Sequence, residues 1–305
     1  MERRKNRERS SLPQGESLRN PRSRGMRGFT LVELVVTMTV SVVVVSFVAM
    51  FIATPVQGFT DQSRRVKLVD AADTALRRMS RDVRRALPNT IRTTTNGSTV
   101  ALELLGSVDG ARYRTQSPGG ADEVLDFTFA DASFNVIGPF TQVAKPFTSD
   151  EHYLAIYNVG VPGADAYALA DVITPPGTTI GIASDAPGED RVTLSAPFKF
   201  AYESPTQRIY LVEGPISYLC DTVNGTLRRF ADYAIAQNHG DRDSSAELLG
   251  AGASDTLMAD HVTGCAFTYA PGTAERAGMI SMELRIGDQG ETIALLVQVH
   301  VDNVP

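Results

Sequence analysis

The most constraining feature of this 305-residue sequence is a single long apolar segment near its N-terminus. From Phe29 to Ala53 the only charged residue is Glu33, and the centre of the segment is rich in valine. As a helix, this segment would extend roughly 37 Å, which is enough to cross the hydrocarbon core of a bilayer. A cleaved secretory signal has a shorter apolar core and a small-x-small site, which Ala49–Pro55 does not offer. The segment therefore predicts one membrane span.

Charge is distributed unevenly around this span. The whole chain has a formal net charge of -6, but residues 1–28 carry +6, residues 61–87 carry +4 and the block from Pro88 onward carries -15. Basic residues that flank a span stay on the cytoplasmic side, according to the positive-inside rule. We therefore expect a cytoplasmic N-terminus and an exported, acidic C-terminal region.

The junction between the basic and apolar segments reads Arg27-Gly28-Phe29-Thr30-Leu31-Val32-Glu33. It resembles the type III signal of type IV prepilins and type II secretion pseudopilins, in which a glycine precedes the cleavage site and a lone carboxylate follows closely. The resemblance implies that a prepilin peptidase removes residues 1–28 by cleaving after Gly28 and then methylates the new N-terminal amine of Phe29. Met26 is a second possible start, so residues 1–25 are either a long leader or the product of an upstream start codon.

A carboxylate within a spanning helix needs a physical reason to be there. Placing an ionised carboxylate at the centre of such a helix costs about 2.5 to 3.5 kcal/mol or more, so it normally has a partner or a function. In the pilin family the partner is the N-terminal amine of a neighbouring subunit during filament assembly, and the resemblance implies this role for Glu33. The alternative is a terminal charge that only reaches the lipid headgroups.

Beyond the span, an amphipathic pattern predicts that the helix continues. Apolar residues recur at spacings of three and four, with one gap of seven, while arginines occupy the other positions. These apolar residues are Val56, Phe59, Val66, Val69, Ala72, Leu76, Met79, Val83 and Leu87. We expect a helix whose residues 29–55 lie in the membrane or filament core and whose residues 56–88 pack on a head, with a kink or local melting at Pro55.

The arginine-rich face of the second segment, residues 56–88, has three possible partners. The acidic head is the nearest one, and it makes packing within the protein the favoured interpretation. Anionic lipid and DNA remain as alternatives, but the sequence leads us to expect no nucleic-acid partner.

Residues 89–305 read as a β-rich head, which gives an α+β fold with a sheet packed on the long helix. The clearest elements are two alternating strands, Met279–Ile286 and Thr292–Val301, joined by a turn at Gly287–Gly290. The other predicted strands are Thr99–Leu105, Val124–Phe129, Tyr153–Asn158, Arg208–Val212, Ile216–Cys220, Thr226–Tyr233 and Val262–Tyr269. Long connections are expected at Gly160–Gly188 and Gly240–Asp260.

The sequence contains two cysteines, Cys220 and Cys265, both on predicted strands of the exported head. In an oxidising compartment such a pair is best interpreted as one disulfide, which stabilises by roughly 3 to 4 kcal/mol. Metal binding or thiol chemistry would favour CxxC spacing or nearby histidines, and neither is present.

The sequence contains no motif typical of a catalytic or cofactor site. It lacks the P-loop, HExxH and GxSxG patterns, and its four histidines are isolated from one another. The loop Asp241–Glu247 has oxygen ligands, but it lacks the glycine and the third ligand of an EF-hand, so a solvated acidic loop is favoured over calcium binding. We therefore expect no enzyme activity, no cofactor and no metal.

Further patches refine the resemblance. The segment Arg81–Arg92 is similar to the end of the helix in minor pilins of the mannose-sensitive haemagglutinin (MSHA) type. The patches similar to an MSHA biogenesis protein are Leu102–Leu105, Ala111–Arg114, Ile216–Asp221 and Gly225–Phe230. This implies a minor subunit of the inner membrane and then of the pilus, with prepilin peptidase, major and minor pilins, an inner-membrane assembly platform and inner-membrane lipid as partners. A minor pseudopilin of type II secretion and a pilus-borne adhesin head remain as alternatives.

Overall fold

A computed structural model describes residues 28–116, 123–272 and 276–304. The chain divides into two compact units, Met1–Phe59 and Thr60–Pro305, which we describe separately. A long helix, α1 (Leu31–Arg84), contributes to both units, and a β-rich head follows it. The predicted α+β class is therefore confirmed. The predicted leader, apart from Gly28, lies outside the described residues.

In the first unit, α1 is apolar and its side chains are exposed from Leu31 to Ile52. It is the one helix among the described residues that is long and apolar enough to cross a membrane, judged by length and composition. Thr37 Oγ1 donates to the Glu33 carbonyl at 2.8 Å and Ser46 Oγ to the Val42 carbonyl at 2.8 Å, so these two hydroxyl groups are satisfied within the helix. The helical backbone continues through Pro55, so the prediction of local melting there is wrong.

Among the described residues, the head contains thirteen β-strands and one short α-helix. In chain order these are β1 (Arg92–Asn96), β2 (Thr99–Tyr113), β3 (Asp131–Ile137), β4 (Phe147–Ser149), β5 (Tyr153–Ala155), β6 (Ile180–Ser184), β7 (Glu189–Phe198), β8 (Arg208–Asp221), β9 (Thr226–Ala231), α2 (Ser245–Gly250), β10 (Ser254–Ala259), β11 (Val262–Ala270), β12 (Gly278–Asp288) and β13 (Glu291–Val301). Short 3-10 helices lie at Ala166–Ala168 and His239–Asp241.

These strands form two antiparallel sheets. The larger sheet has the order β10-β9-β8-β2-β3-β7-β6-β4, with β1 added to β2 and β5 added to β8. The smaller sheet has the order β11-β12-β13. The long strands β2 and β8 pair along most of their lengths and form the centre of the larger sheet.

The second half of α1 packs into the main core of the head. The buried side chains of this half of the helix pack against apolar residues from both sheets. This burial of the apolar stripe stabilises the helix. The buried helix residues are Leu68, Ala72, Ala75, Leu76, Met79 and Val83. The predicted face is confirmed from Ala72 onward but is wrong for Val66 and Val69, which are 61% and 38% exposed. Periodicity identifies an apolar stripe, but it does not show where the covering sheet ends.

A disulfide between Cys220 on β8 and Cys265 on β11 joins the two sheets. The two Cα atoms are 6.4 Å apart, and the bond closes a sequence separation of 45 residues. Cys220 is fully buried in the main core, and Cys265 packs against that core. The predicted pairing is therefore confirmed. By the loop-entropy argument this crosslink stabilises the head by roughly 3 to 4 kcal/mol.

The hairpin of β12 and β13 has the predicted pattern of faces. Ile280, Met282, Leu284 and Ile286 are almost completely buried, and each lies opposite an apolar residue of β13. The reversal occurs at Gln289 and Gly290, whose φ angles of 48° and 88° match a two-residue type I′ turn. His300 lies on the exposed face, as expected.

Several predicted elements of the head need correction. Residues 124–129 form no strand, because the Asp126 carboxylate accepts the backbone N–H groups of Thr128 and Phe129 and holds the segment in a turn. The two predicted strands at Arg208–Val212 and Ile216–Cys220 are one strand, β8. The predicted connections Gly160–Gly188 and Gly240–Asp260 contain β6, α2 and β10.

The segment between β2 and β8 builds a second core. Strands β3, β6 and β7 pack there around Phe134, Val136, Ile182 and Val192, together with the distal ends of β2 and β8. The main core therefore holds the helix, and the second core extends the head along the same two central strands.

Candidate functional site

The junction before α1 has the geometry of a capped helix start. Gly28, Phe29 and Thr30 are exposed and not helical, and α1 begins at Leu31. Thr30 Oγ1 accepts the backbone N–H of Glu33 at 3.2 Å, which satisfies one of the free donors of the first turn. The signal for this cap, a threonine followed three residues later by a glutamate, is present in the sequence, although we did not predict the cap from it.

Glu33 lies at the third helical position and is exposed. A negative charge in the first turn interacts favourably with the helix dipole and contributes about 0.3 to 1 kcal/mol at an exposed site. Glu33 therefore has a local role at the helix start in addition to the assembly role that the sequence predicts. An experiment on this residue has to separate the two.

Gly28 is not required by the fold of the described residues. No atom lies within 4 Å of the position where a Cβ would be placed, and its φ is outside the left-handed region. A side chain at this position therefore meets neither a steric clash nor backbone strain. If glycine is needed here, the need arises from another protein that handles this peptide.

The junction before α1 also matches a known protein family. Residues 23–49 match the family described as the prokaryotic N-terminal methylation motif. The match includes Gly28, Phe29 and Glu33 and ends within the apolar half of α1; it covers a small part of the chain and does not include the head. No curated protein and no solved structure matches this chain. The motif is a type IV pilin-like signal, which is consistent with a membrane-anchored subunit processed by a prepilin peptidase.

On the head side, a buried carboxylate anchors α1. Asp82 accepts hydrogen bonds on Oδ2 from Tyr218 Oη at 2.7 Å and from Arg229 Nε at 2.8 Å. Arg78 on the same helix approaches Asp82 Oδ1 at 3.6 Å. Burial beside this carboxylate raises the pKa of Tyr218. The group ties the helix to β8 and β9, and sequence reasoning missed it because the partners are 136 and 147 residues away.

Asp82→Ala is expected to destabilise the head by about 3 kcal/mol, because it leaves the partly buried Arg229 guanidinium without its counter-ion. Urea unfolding of the full chain in detergent measures the loss. Asp73→Ala is the matched control on the same helix, since it breaks the exposed pair with Arg77 and should cost less than about 0.5 kcal/mol. Equal losses in the two variants would contradict the anchoring role.

The chain segment after α1 continues the attachment through its backbone. Arg85 donates from Nε and Nη2 to the Ser107 carbonyl at 3.2 and 3.1 Å, and the Ser107 N–H donates to the Arg85 carbonyl at 2.8 Å. The Leu87 N–H then donates to the Leu105 carbonyl at 2.8 Å. The end of the helix is therefore bonded directly to β2.

The arginine-rich face is partly neutralised within the head unit, as the favoured interpretation predicts. Arg64 Nε lies 3.5 Å from Asp288 Oδ2, and Arg65 Nη1 lies 3.7 Å from Glu291 Oε1. Both acidic residues flank the turn between β12 and β13. Among the described ion pairs, none includes Arg81 or Arg84, which are exposed. The proposals of lipid or DNA binding by this face are not tested by these contacts.

A second buried carboxylate, Glu103 on β2, lies at the centre of a polar network in the head. Its Oε2 accepts from Arg92 Nε at 2.7 Å, and its Oε1 accepts from Tyr233 Oη at 3.0 Å. The Arg92 guanidinium also lies over the Tyr167 ring, 3.5 Å from its centroid. Burial raises the pKa of Glu103, while the charge of Arg92 opposes this. The network holds β1 and β2 against the loop that follows β9.

His239 borders this network as a neutral side chain. Its Nε2 is 3.8 Å from Glu103 Oε2, too far for a hydrogen bond, and has no partner among the described residues. A nearby carboxylate would favour the charged ring, but burial and the positive charge of Arg92 dominate and lower the pKa of His239 to about 4. The unfolded chain then binds more protons than the folded chain between this value and the ordinary pKa of 6.5.

His239→Gln is therefore expected to reduce the acid sensitivity of the head. Between about pH 7.5 and about pH 5 the wild-type chain should lose roughly 1 to 2 kcal/mol more stability than the variant, because only the wild type must keep a histidine neutral. Glu103 titrates in both proteins, so its opposite contribution cancels in the comparison. Urea unfolding of both chains at the two pH values measures the difference, and parallel curves would contradict the assignment.

The acidic loop predicted at Asp241–Glu247 forms the start of α2. Ser244 and Glu247 make a capping box, in which Ser244 Oγ accepts the Glu247 N–H and Glu247 accepts the Ser244 N–H. Asp243 is buried and accepts from Asn96 Nδ2 at 2.8 Å, so this part of the loop is not solvated as expected. In the described part of the chain, no group of three or more His, Cys, Asp or Glu side chains is placed to hold a metal ion.

Proposed function

We propose that this chain is a non-enzymatic minor subunit of a type IV pilus of the MSHA type. A prepilin peptidase cleaves it after Gly28 and methylates Phe29. The mature chain is held in the inner membrane by residues 29–55, with its head in the periplasm, and then enters the fibre through α1. The observation that carries the proposal is the N-terminal methylation motif at residues 23–49, directly at the start of a membrane-length helix.

Three features of the head support a minor subunit over the repeating subunit of the shaft. The segment between β2 and β8 adds a second core, which enlarges the head beyond what the helix needs for packing. The disulfide joins β8 to β11 and leaves the last hairpin outside its loop. The similarity of Arg81–Arg92 and Ile216–Phe230 to MSHA-type proteins points in the same direction. We propose that the subunit primes or caps the fibre.

The assembly partners follow from the proposed pathway. They are the prepilin peptidase, major and minor pilins, the inner-membrane assembly platform and membrane lipid. In this account α1 packs on the head from Leu68 onward, because Asp82 and the buried stripe of the helix attach it there. A minor pseudopilin of type II secretion is the second candidate, since the same methylation motif is used by that class.

Deleting the gene and imaging surface fibres tests the proposal. A minor subunit predicts fewer or shorter fibres, with normal numbers restored by the full-length chain. Complete absence of fibres in the deletion strain, together with this chain as the main component of wild-type fibres, would instead identify the major pilin. Unchanged fibres together with a failure to secrete substrates would identify a pseudopilin, and the genes adjacent to this one distinguish the two systems independently.

A further inference from the structure

In the described strand orders four strands end a sheet, β4 and β10 in the larger sheet and β11 and β13 in the smaller one, and three of the four are protected. At one edge of the larger sheet, β4 has only three residues. At the other edge, β10 has a register irregularity between Leu257 and Ala259, and its Asp255 pairs with Arg228. In β11 the register is irregular between Val262 and Gly264, and the disulfide at Cys265 ties the strand to β8. Short length, bulges and charges are the devices by which proteins prevent another strand from adding to an edge.

The fourth end strand, β13, has none of these devices. All 11 of its residues pair with β12 without a register shift, from Asp288↔Glu291 to Gly278↔Val301. Residues 292–301 contain no acidic or basic residue apart from His300, no proline and no glycine. Among the described strands, β12 is the only partner of β13, so the backbone groups that face away from β12 pair with no strand. Such an edge is a ready template for a strand from another chain.

The faces of β13 indicate what kind of strand fits. On the side of α1, Ile293, Val299 and Val301 are buried, but Leu295 and Val297 between them are only partly covered. The opposite face is uncharged and exposed over 294–298. An added strand with apolar residues toward α1 would cover Leu295 and Val297, and uncharged polar residues would suit its other face.

The direction of β13 excludes antiparallel pairing with β13 of a second copy. Arg65, early in the head unit, lies 3.7 Å from Glu291, and Asn89 beyond the end of α1 donates from Nδ2 to the Asn303 carbonyl at 3.3 Å. The helix segment from Thr60 onward and β13 therefore run in the same direction. Antiparallel pairing of two β13 strands would make the two helices antiparallel, whereas subunits inserted into one membrane or fibre point the same way.

We propose that β13 is the edge at which an extended strand from the head of a neighbouring, different fibre subunit adds to this protein. The inference rests on the proposed function, because the fibre brings such heads side by side. The added strand alternates apolar and uncharged polar residues and continues the β11-β12-β13 sheet. Backbone hydrogen bonds provide the contact, and the half-covered pair Leu295 and Val297 selects apolar side chains.

A matched pair of variants tests this edge. Gln298 Nε2 donates to Ser281 Oγ at 3.1 Å, and the two residues lie opposite each other on β13 and β12. Gln298→Lys and Ser281→Lys in the full chain each remove this same hydrogen bond and add one charge to the same face. Only Gln298→Lys places the charge on the edge strand. Incorporation into fibres, relative to the amount of processed chain in the membrane, is the readout.

Gln298→Lys is expected to lower incorporation at least about tenfold, the change that roughly 1.4 kcal/mol produces, while Ser281→Lys stays near wild type. A photo-crosslinking residue at position 298 should also capture a different fibre subunit. The edge proposal would be overturned if the two lysines had equal effects, if neither had an effect, or if the crosslinker captured only another copy of this chain. A chain that is not cleaved after Gly28 and never enters fibres would instead overturn the proposed function, and the edge proposal with it.

Discussion

Gly28→Val is expected to leave the chain uncleaved and unmethylated in the membrane and to remove it from the fibre almost completely. The proposed peptidase must bind an extended peptide at this position, and a branched side chain would obstruct it. The fold gives no other reason for an effect, because a Cβ at position 28 meets no atom of the described chain within 4 Å. Immunoblotting of membranes should show the full-length precursor in place of the shorter form.

Gly58→Val is the matched control for this substitution. A Cβ at position 58 would likewise meet no atom within 4 Å, and Gly58 has no left-handed φ, but it lies well inside α1. The control chain should be cleaved like the wild type. Head stability should be unchanged in both variants, which urea unfolding checks. Normal cleavage of Gly28→Val would contradict the proposed processing site.

Glu33→Gln is expected to leave cleavage intact but to reduce incorporation by about tenfold or more, which corresponds to a loss of at least roughly 1.4 kcal/mol. The charge is the proposed partner of the N-terminal amine of a neighbouring subunit. Glutamine retains the size of the side chain and suits the third position of a capping box, so the helix start with Thr30 is preserved. The experiment therefore separates the charge of Glu33 from its role in the helix.

Membrane insertion cannot explain such a defect. Removing a carboxylate from a spanning helix makes insertion more favourable, so Glu33→Gln should reach the membrane at least as well as the wild type. Glu33→Asp is the second control, since it keeps the charge and should retain most of the incorporation. If Glu33→Gln is incorporated as well as the wild type, the carboxylate has no assembly role. If Glu33→Asp is as defective as Glu33→Gln, charge is not the relevant property.

The regular parts of this fold are predictable because their signals are local. The hairpin of β12 and β13 shows strict alternation around a turn, and this alternation predicts its faces correctly. The pairing of Cys220 with Cys265 follows from two cysteines in an exported head. The length of α1 follows from a continuous apolar and then amphipathic pattern that ends near Pro88.

The remaining parts depend on contacts between distant segments. The sequence predicts two strands in place of β8 because Gly214 and Pro215 resemble a turn, yet the strand continues past Gly214, whose φ is 112°, beside a register irregularity in its pairing with β2. Asp82 and Glu103 are not predicted as anchors because their charge partners lie on other elements of the folded head. A carboxylate in a polar stretch of sequence carries no local sign that it will be buried.

The candidate functional residues likewise divide into those that local sequence predicts and those that only the folded structure shows. Gly28, Phe29 and Glu33 belong to a short linear motif, which the match at residues 23–49 recovers. The edge at β13 is a property of topology, since only the sheet order shows that this strand is unpaired on one side while the other three end strands are protected. A sequence pattern predicts that residues 292–301 form a strand, but it does not predict the strand's place in the sheet.

The most direct test of the proposed function is mass spectrometry of the N-terminal peptide of this protein, isolated from purified surface fibres. We expect a chain that begins at Phe29 and carries one methyl group on its N-terminal amine, present at a low ratio to the main fibre subunit. A chain that retains residues before Phe29, or a chain found only in the cell membrane and never with fibres or a secretion apparatus, would contradict it.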